Sequence, residues 1–70
     1  MYKNGKNRKD IYIDALVDIV LKKDQKSGEL TQGQVKKILT SSAHHPHGIK
    51  VMLDTGEVGR VQKVYEDSDF

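Results

Sequence analysis

Ile49-Lys50-Val51-Met52-Leu53-Asp54-Thr55-Gly56-Glu57-Val58-Gly59-Arg60-Val61-Gln62-Lys63-Val64 is the stretch that decides the fold class. Ile49, Val51 and Leu53 alternate with Lys50 and Met52, the period-two pattern of a strand with one apolar and one solvated face. Asp54-Thr55-Gly56-Glu57 carries hairpin-turn chemistry, with Gly56 free to take positive φ. Val58 to Val64 is the returning strand. Its apolar residues Val58, Val61 and Val64 break strict alternation, so a bulge is expected, and Gly59 is the natural place for it.

Upstream of the hairpin, Ser41 to Gly48 is a polar loop carrying His44, His45, Pro46 and His47. Before it, Gly33 precedes Val35, Ile38 and Leu39 in the segment Leu30–Thr40. That spacing fits a helix as well as a bent strand. Lys23 to Glu29 is a loop punctuated by Ser27-Gly28. Leu16 to Leu21 reads Leu-Val-Asp-Ile-Val-Leu, with Val17, Ile19 and Leu21 on one strand face. Helical spacing through Ile11, Ala15 and Ile19, with Asp10 as a cap, competes there; the β-branched content favours strand. Short strands bounded by glycines and turns imply an all-β domain, a compact barrel with flexible termini. Residues 1–10 are expected to form a flexible basic arm or a docking segment, 11–65 the barrel, and 66–70 a disordered acidic tail.

The 70 residues hold twelve basic and ten acidic side chains, for a net charge of +2, so the distribution of charge says more than its sum. Lys3, Lys6, Arg8 and Lys9 make a basic head; Glu66, Asp67 and Asp69 make an acidic tail. The chain has no cysteine, which excludes disulfide staples and thiolate zinc ribbons. No apolar run approaches the ~20 residues that cross a bilayer, and no signal-type segment follows the N-terminus. A cytoplasmic monomer without membrane contact is the expectation.

Several pieces together resemble the YwbE-like family of small uncharacterised proteins. They are Asn7-Arg8-Lys9, Val17-Asp18-Ile19-Val20-Leu21-Lys22, Asp24-Gln25 with Gly28 and Leu30-Thr31, Gly33 with Val35-Lys36, Ile38-Leu39-Thr40, His45-Pro46-His47-Gly48-Ile49-Lys50-Val51, and Gly56 with Val58-Gly59-Arg60-Val61. Two positions depart from that pattern. Ala15 stands where a glycine is expected, and Met52 where an arginine is expected. The resemblance implies a fold and no activity. The layout also looks like a small SH3-like (KOW-type) barrel of about four to five short strands; KOW-type barrels contact RNA or proteins, and that step from fold to function is analogy.

The histidine cluster suggests metal ligation first. A structural zinc site needs four ligands, and Pro46 restricts the loop, so no metal or other cofactor is expected. Loop packing, a Pro-fixed turn, or hydrogen bonds from His45 and His47 to phosphate or base are the competing roles. Ser41 and Ser42 beside histidines lack the carboxylate, oxyanion hole and cleft of a hydrolase. No calcium loop, P-loop or dinucleotide fingerprint is present, and the chain is expected not to be an enzyme.

The basic residues make the stronger constellation. Lys36 and Lys37, Lys50, and Arg60 and Lys63 lie on three separate strand segments, and Arg8 and Lys9 lie in the basic head. If those strands are neighbours, their cations gather on one outer surface suited to phosphate. A solvated sheet face neutralised by Asp18, Glu29 and Glu57 is the competing reading. Aromatics are few: Tyr2, Tyr12, Tyr65 and Phe70, all near the ends, which disfavours a base-stacking platform. The functional expectation is a non-catalytic RNA-binding module. A protein-interaction adaptor, with Met52 in an apolar contact surface, is the alternative.

Overall fold

At each segment whose spacing allowed helix or strand, the strand wins. The computed structural model describes residues 2–65 and forms β1 (Tyr2–Lys3), β2 (Leu16–Leu21), β3 (Leu30–Ile38), β4 (Lys50–Leu53) and β5 (Val58–Tyr65). Single turns of 3-10 helix occupy Arg8–Asp10 and Lys22–Asp24. Every pairing is antiparallel, in the order β1-β5-β2-β3-β4, and β4 returns to pair with β5. Strands β2 to β5 therefore close the compact barrel that the strand pattern predicts, a four-strand barrel of the SH3-like kind that the layout resembles. No helix among the described residues is long and apolar enough to cross a membrane.

Alternation sorts the side chains. Val17, Ile19, Val35, Ile49, Val51, Leu53 and Val61 are wholly buried, and Ile11, Ala15 and Val64 complete the core. Leu21 and Ile38 pack against its edge. Each such side chain contributes about 1.5–3 kcal/mol relative to exposure. Asp18 is the exception to the sorting. It points outward on β2 yet is buried, and the Tyr65 hydroxyl donates to its Oδ2 at 2.6 Å.

Two bulges bend the strands enough for closure. On β3 the register passes from Val35↔Leu53 to Lys37↔Met52, so Lys36 is the extra residue. On β5 it passes from Ile19↔Val61 to Asp18↔Lys63, so Gln62 is extra. The expected bulge at Gly59 is thus displaced to Gln62. Gly59 serves a different need: a Cβ there would lie 2.5 Å from the Val20 carbonyl oxygen.

The stretch 2–10, expected as a flexible arm, takes the docking alternative over its described length. β1 pairs with Val64 and Tyr65. Beyond it, Ile49 N–H donates to the Gly5 carbonyl at 2.9 Å, His45 N–H to the Lys6 carbonyl at 2.9 Å, and Arg8 N–H to the Ala43 carbonyl at 2.9 Å. The segment lies so close to β5 that Gly5 and Gly48, both at positive φ, press against Val61. A Cβ at Gly5 would lie 2.7 Å from the Val61 carbonyl oxygen, and one at Gly48 would overlap that oxygen more severely. The expected acidic tail, residues 66–70, lies outside the described residues.

Gly48→Ala is expected to cost about 3 kcal/mol or more, because the left-handed conformation costs about 1–2 kcal/mol and overpacking against β5 adds to it. Gly28, at φ +73° with open space around its Cα, gives the comparison: Gly28→Ala should cost only the conformational part. Urea denaturation measures both. Equal losses would show that the contact between Gly48 and Val61 does not limit stability.

Candidate nucleic-acid interface

Strand register decides which cations meet. Lys50 on β4 pairs with Arg60 on β5, Arg60 pairs with Val20 on β2, and Val20 pairs with Leu30 on β3. All four point away from the core, so one row crosses the outside of the barrel: two cations followed by two aliphatics. The neighbouring row is Lys37, Met52 and Val58. Lys37 is the diagonal neighbour of Lys50, a relation that places Cβ atoms within about 7–8 Å. The β3 bulge turns Lys36 outward beside Lys37, and both are exposed. Among the described residues, no carboxylate lies within 4.0 Å of the side-chain nitrogens of Lys36, Lys37, Lys50 or Arg60.

Arg8 reaches this group from the docked N-terminal segment. Its Nε donates to the Thr40 carbonyl at 3.1 Å, and the Thr40 hydroxyl accepts from Lys50 N–H at 2.8 Å. Arg8 and Lys50 thus flank one residue. Lys9 lines a recess of about 510 Å³ with Asn7, Arg8, Ser41 and His44. Lys63 is placed elsewhere: it pairs across the sheet with Asp18, in a row with Gln32.

The histidine loop has a defined shape. Gly48 N–H donates to the His45 carbonyl at 3.0 Å, closing a β-turn with Pro46 at its second position, where the fixed φ of proline is favoured. The turn sends the rings to different sides. His44 Nδ1 lies 3.1 Å from Asn7 Oδ1, toward the recess that holds Lys9. His45 and His47, with ring centroids 5.8 Å apart, face an open groove of about 810 Å³ on the other side. Val20, Gln25, Gly28, Leu30, Arg60 and Gln62 line the rest of it. Arg60 is held there by donating from Nη1 to the Gly48 carbonyl at 3.1 Å, and Gln62 by donating from Nε2 to the His47 carbonyl at 3.2 Å.

His47 N–H donates to His45 Nδ1 at 3.1 Å, so the neutral ring carries its proton on Nε2. Partial burial, and then the charges of Arg60, His47 and His44, hold the His45 pKa below its ordinary 6.5. The bond to Nδ1 acts in the same direction, because it occupies the lone pair that a second proton needs. No three His, Cys, Asp or Glu side chains among the described residues are arranged to hold a metal ion.

Sequence reasoning named the cations and the two groove histidines and missed Val20, Gln25, Leu30 and Gln62. Val20 was findable: if Val17 and Ile19 face inward, Val20 is an aliphatic facing out. Gln25 and Gly28 come to the groove through the path of the loop after β2, which no spacing rule encodes.

These features define a small closed β-barrel with a cationic outer row. The chain belongs to the family described as "Uncharacterized conserved protein (DUF2196)", whose model matches residues 4–64. It is 57% identical over 61 residues to the uncharacterised protein YwbE of Bacillus subtilis (strain 168), covering 87% of this chain and 94% of that protein. No solved structure matches it.

The lowered His45 pKa carries a linkage sign. Between the folded pKa and the unfolded value of 6.5, the unfolded chain binds more protons, so this residue's contribution to stability is complete above 6.5 and is lost as pH falls below it. An NMR titration of the His45 ring should show a midpoint below 6.5. A midpoint at or above that value would remove the linkage.

Proposed function

We propose that this protein is a non-catalytic RNA-binding module that works as a cytoplasmic monomer and grips the phosphate backbone of structured RNA through Arg8, Lys37, Lys50 and Arg60, flanked by Lys9 and Lys36. One observation carries this reading. Lys50 and Arg60 are cross-strand partners with Lys37 on the diagonal, and no described carboxylate neutralises them. A face that served only for solvation would gain by interspersing acids among these cations, since like charges side by side on a sheet cost stability. Here the repulsion stands uncompensated, and a polyanion would relieve it. Arginine matches phosphate oxygens bidentately and lysine supplies point charge. The chain has few aromatic side chains on which bases could stack, so backbone contact to a folded RNA fits better than base stacking along a single strand.

Fluorescence anisotropy with a labelled RNA hairpin tests this. Affinity should fall steeply with salt, and removing a lysine that meets phosphate should flatten the log–log slope by about 0.7–0.9. Lys37→Ala and Lys50→Ala should each do so, while Lys63→Ala, beside Asp18, should leave the slope unchanged. Absence of binding to any RNA or DNA at low salt would end this reading. A nuclease-resistant pull-down of one protein would then favour an adaptor.

A further inference from the structure

The groove between the histidine turn and the outside of β5 and β2 differs in kind from the cationic row that leads into it. Its floor is aliphatic: Leu30 is 42% exposed and Val20 is half-buried, side by side across β2 and β3. Its walls carry hydrogen-bonding groups with unspent capacity. Arg60 uses Nη1 on the Gly48 carbonyl, which leaves its other guanidinium N–H groups available. His45 has its Nδ1 occupied and presents Nε2–H. Gln62 spends its NH₂ on the His47 and Arg60 carbonyls, which leaves the Oε1 acceptor. Gln25 lines the groove from the loop after β2 and offers a complete amide. A ligand that satisfies all of these has a flat, weakly polar body, donors and acceptors on its edge, and an anionic group on the side of Lys50 and Arg60.

The geometry points to a single nucleotide turned out of an RNA helix, its base on Val20 and Leu30 with its edge read by Gln25 and Gln62, and its phosphate on Arg60 and the His45 Nε2–H. This rests on the RNA reading above and adds to it a place where a bulged base is recognised. At about 810 Å³ the groove falls within the size range of small-ligand sites, enough for one nucleotide and too little for a duplex. Sequence-specific RNA recognition commonly takes splayed bases of this kind, because the grooves of the A-form helix hide their edges. The aliphatic floor stands where a base-stacking site has an aromatic platform: no Phe, Tyr or Trp among the described residues lines this groove.

Three RNA hairpins of equal stem length separate the two ideas: one fully paired, one with a single-nucleotide bulge, and one with an abasic bulge. The bulged hairpin should bind about tenfold more tightly than either of the others, near the low end of what one stacked base contributes. Leu30→Ala and Gln25→Ala, both at exposed positions, should erase that preference while leaving affinity for the paired hairpin unchanged. Equal affinity for all three hairpins would overturn the groove assignment and leave the backbone reading standing. No binding to any of them would remove both. A peptide of alternating Glu and Leu that shifts the Leu30 and Val20 methyl signals, where the bulged hairpin does not, would overturn the nucleotide assignment in favour of an acidic peptide.

Discussion

The backbone of Val61 is the seam on which this small barrel depends. Its N–H donates to the Ile49 carbonyl at 2.9 Å, its side chain fills the core opposite Ile19, and Gly5 and Gly48 press on it from outside. Three chain segments far apart in sequence therefore converge on one residue. A sheet of this length has few ways to avoid exposed edges, and an unpaired edge invites association. On β5 the edge opposite β2 is shared: β4 covers Val58 to Arg60, the turn before β4 and the Gly5 segment cover Val61, and β1 covers Val64 and Tyr65. Only residues without a Cβ allow the backbones to come that close.

How much of this is legible in the sequence depends on the kind of signal. Alternation through Ile49–Leu53 and the composition of Leu16–Leu21 read directly as strands, and the hairpin turn marks itself with Gly56. The spacing of Val35 with Ile38, and of Val61 with Val64, was harder. Both are three apart, which suggests helix or irregularity. In the barrel each such gap holds a bulge, where two polar residues face out together (Lys36-Lys37 and Gln62-Lys63) and the next aliphatic returns to the core. The polar pair between the two aliphatics was the better marker, and the glycine drew attention away from it.

The docked N-terminal segment was less legible for a different reason. Lys3, Lys6, Arg8 and Lys9 look like a solvated basic head, and composition alone favours mobility. What holds residues 4–8 is main-chain pairing with the loop 43–49, and backbone hydrogen bonding leaves almost no trace in side-chain chemistry. Gly5 was the one visible clue, and a lone glycine among asparagines reads equally well as a flexible joint. The site inherited the same limit. The cations could be listed from the sequence, but their convergence depends on register, and the groove depends on how the loop after β2 runs.

The two bulges tie function to folding in a way that composition does not show. Lys36 and Lys37 face outward together because the strand must shift register to bring Ile38 back against the core. Lys63 faces outward by the same device on β5, but there the bulge sets it across the sheet from Asp18. Equivalent geometry therefore gives the outward lysine two different surroundings, and the difference lies in what the neighbouring strand places opposite: Met52 for Lys37, Asp18 for Lys63. With a net charge of only +2, the chain as a whole exerts little long-range attraction on a polyanion. On the RNA-binding reading proposed above, recognition must then come from local placement, and the closed barrel supplies that placement. The backbone that carries Lys50 and Arg60 is part of the closure itself, because the residues that alternate with them, Val51, Gly59 and Val61, lie in the pairings that close the barrel.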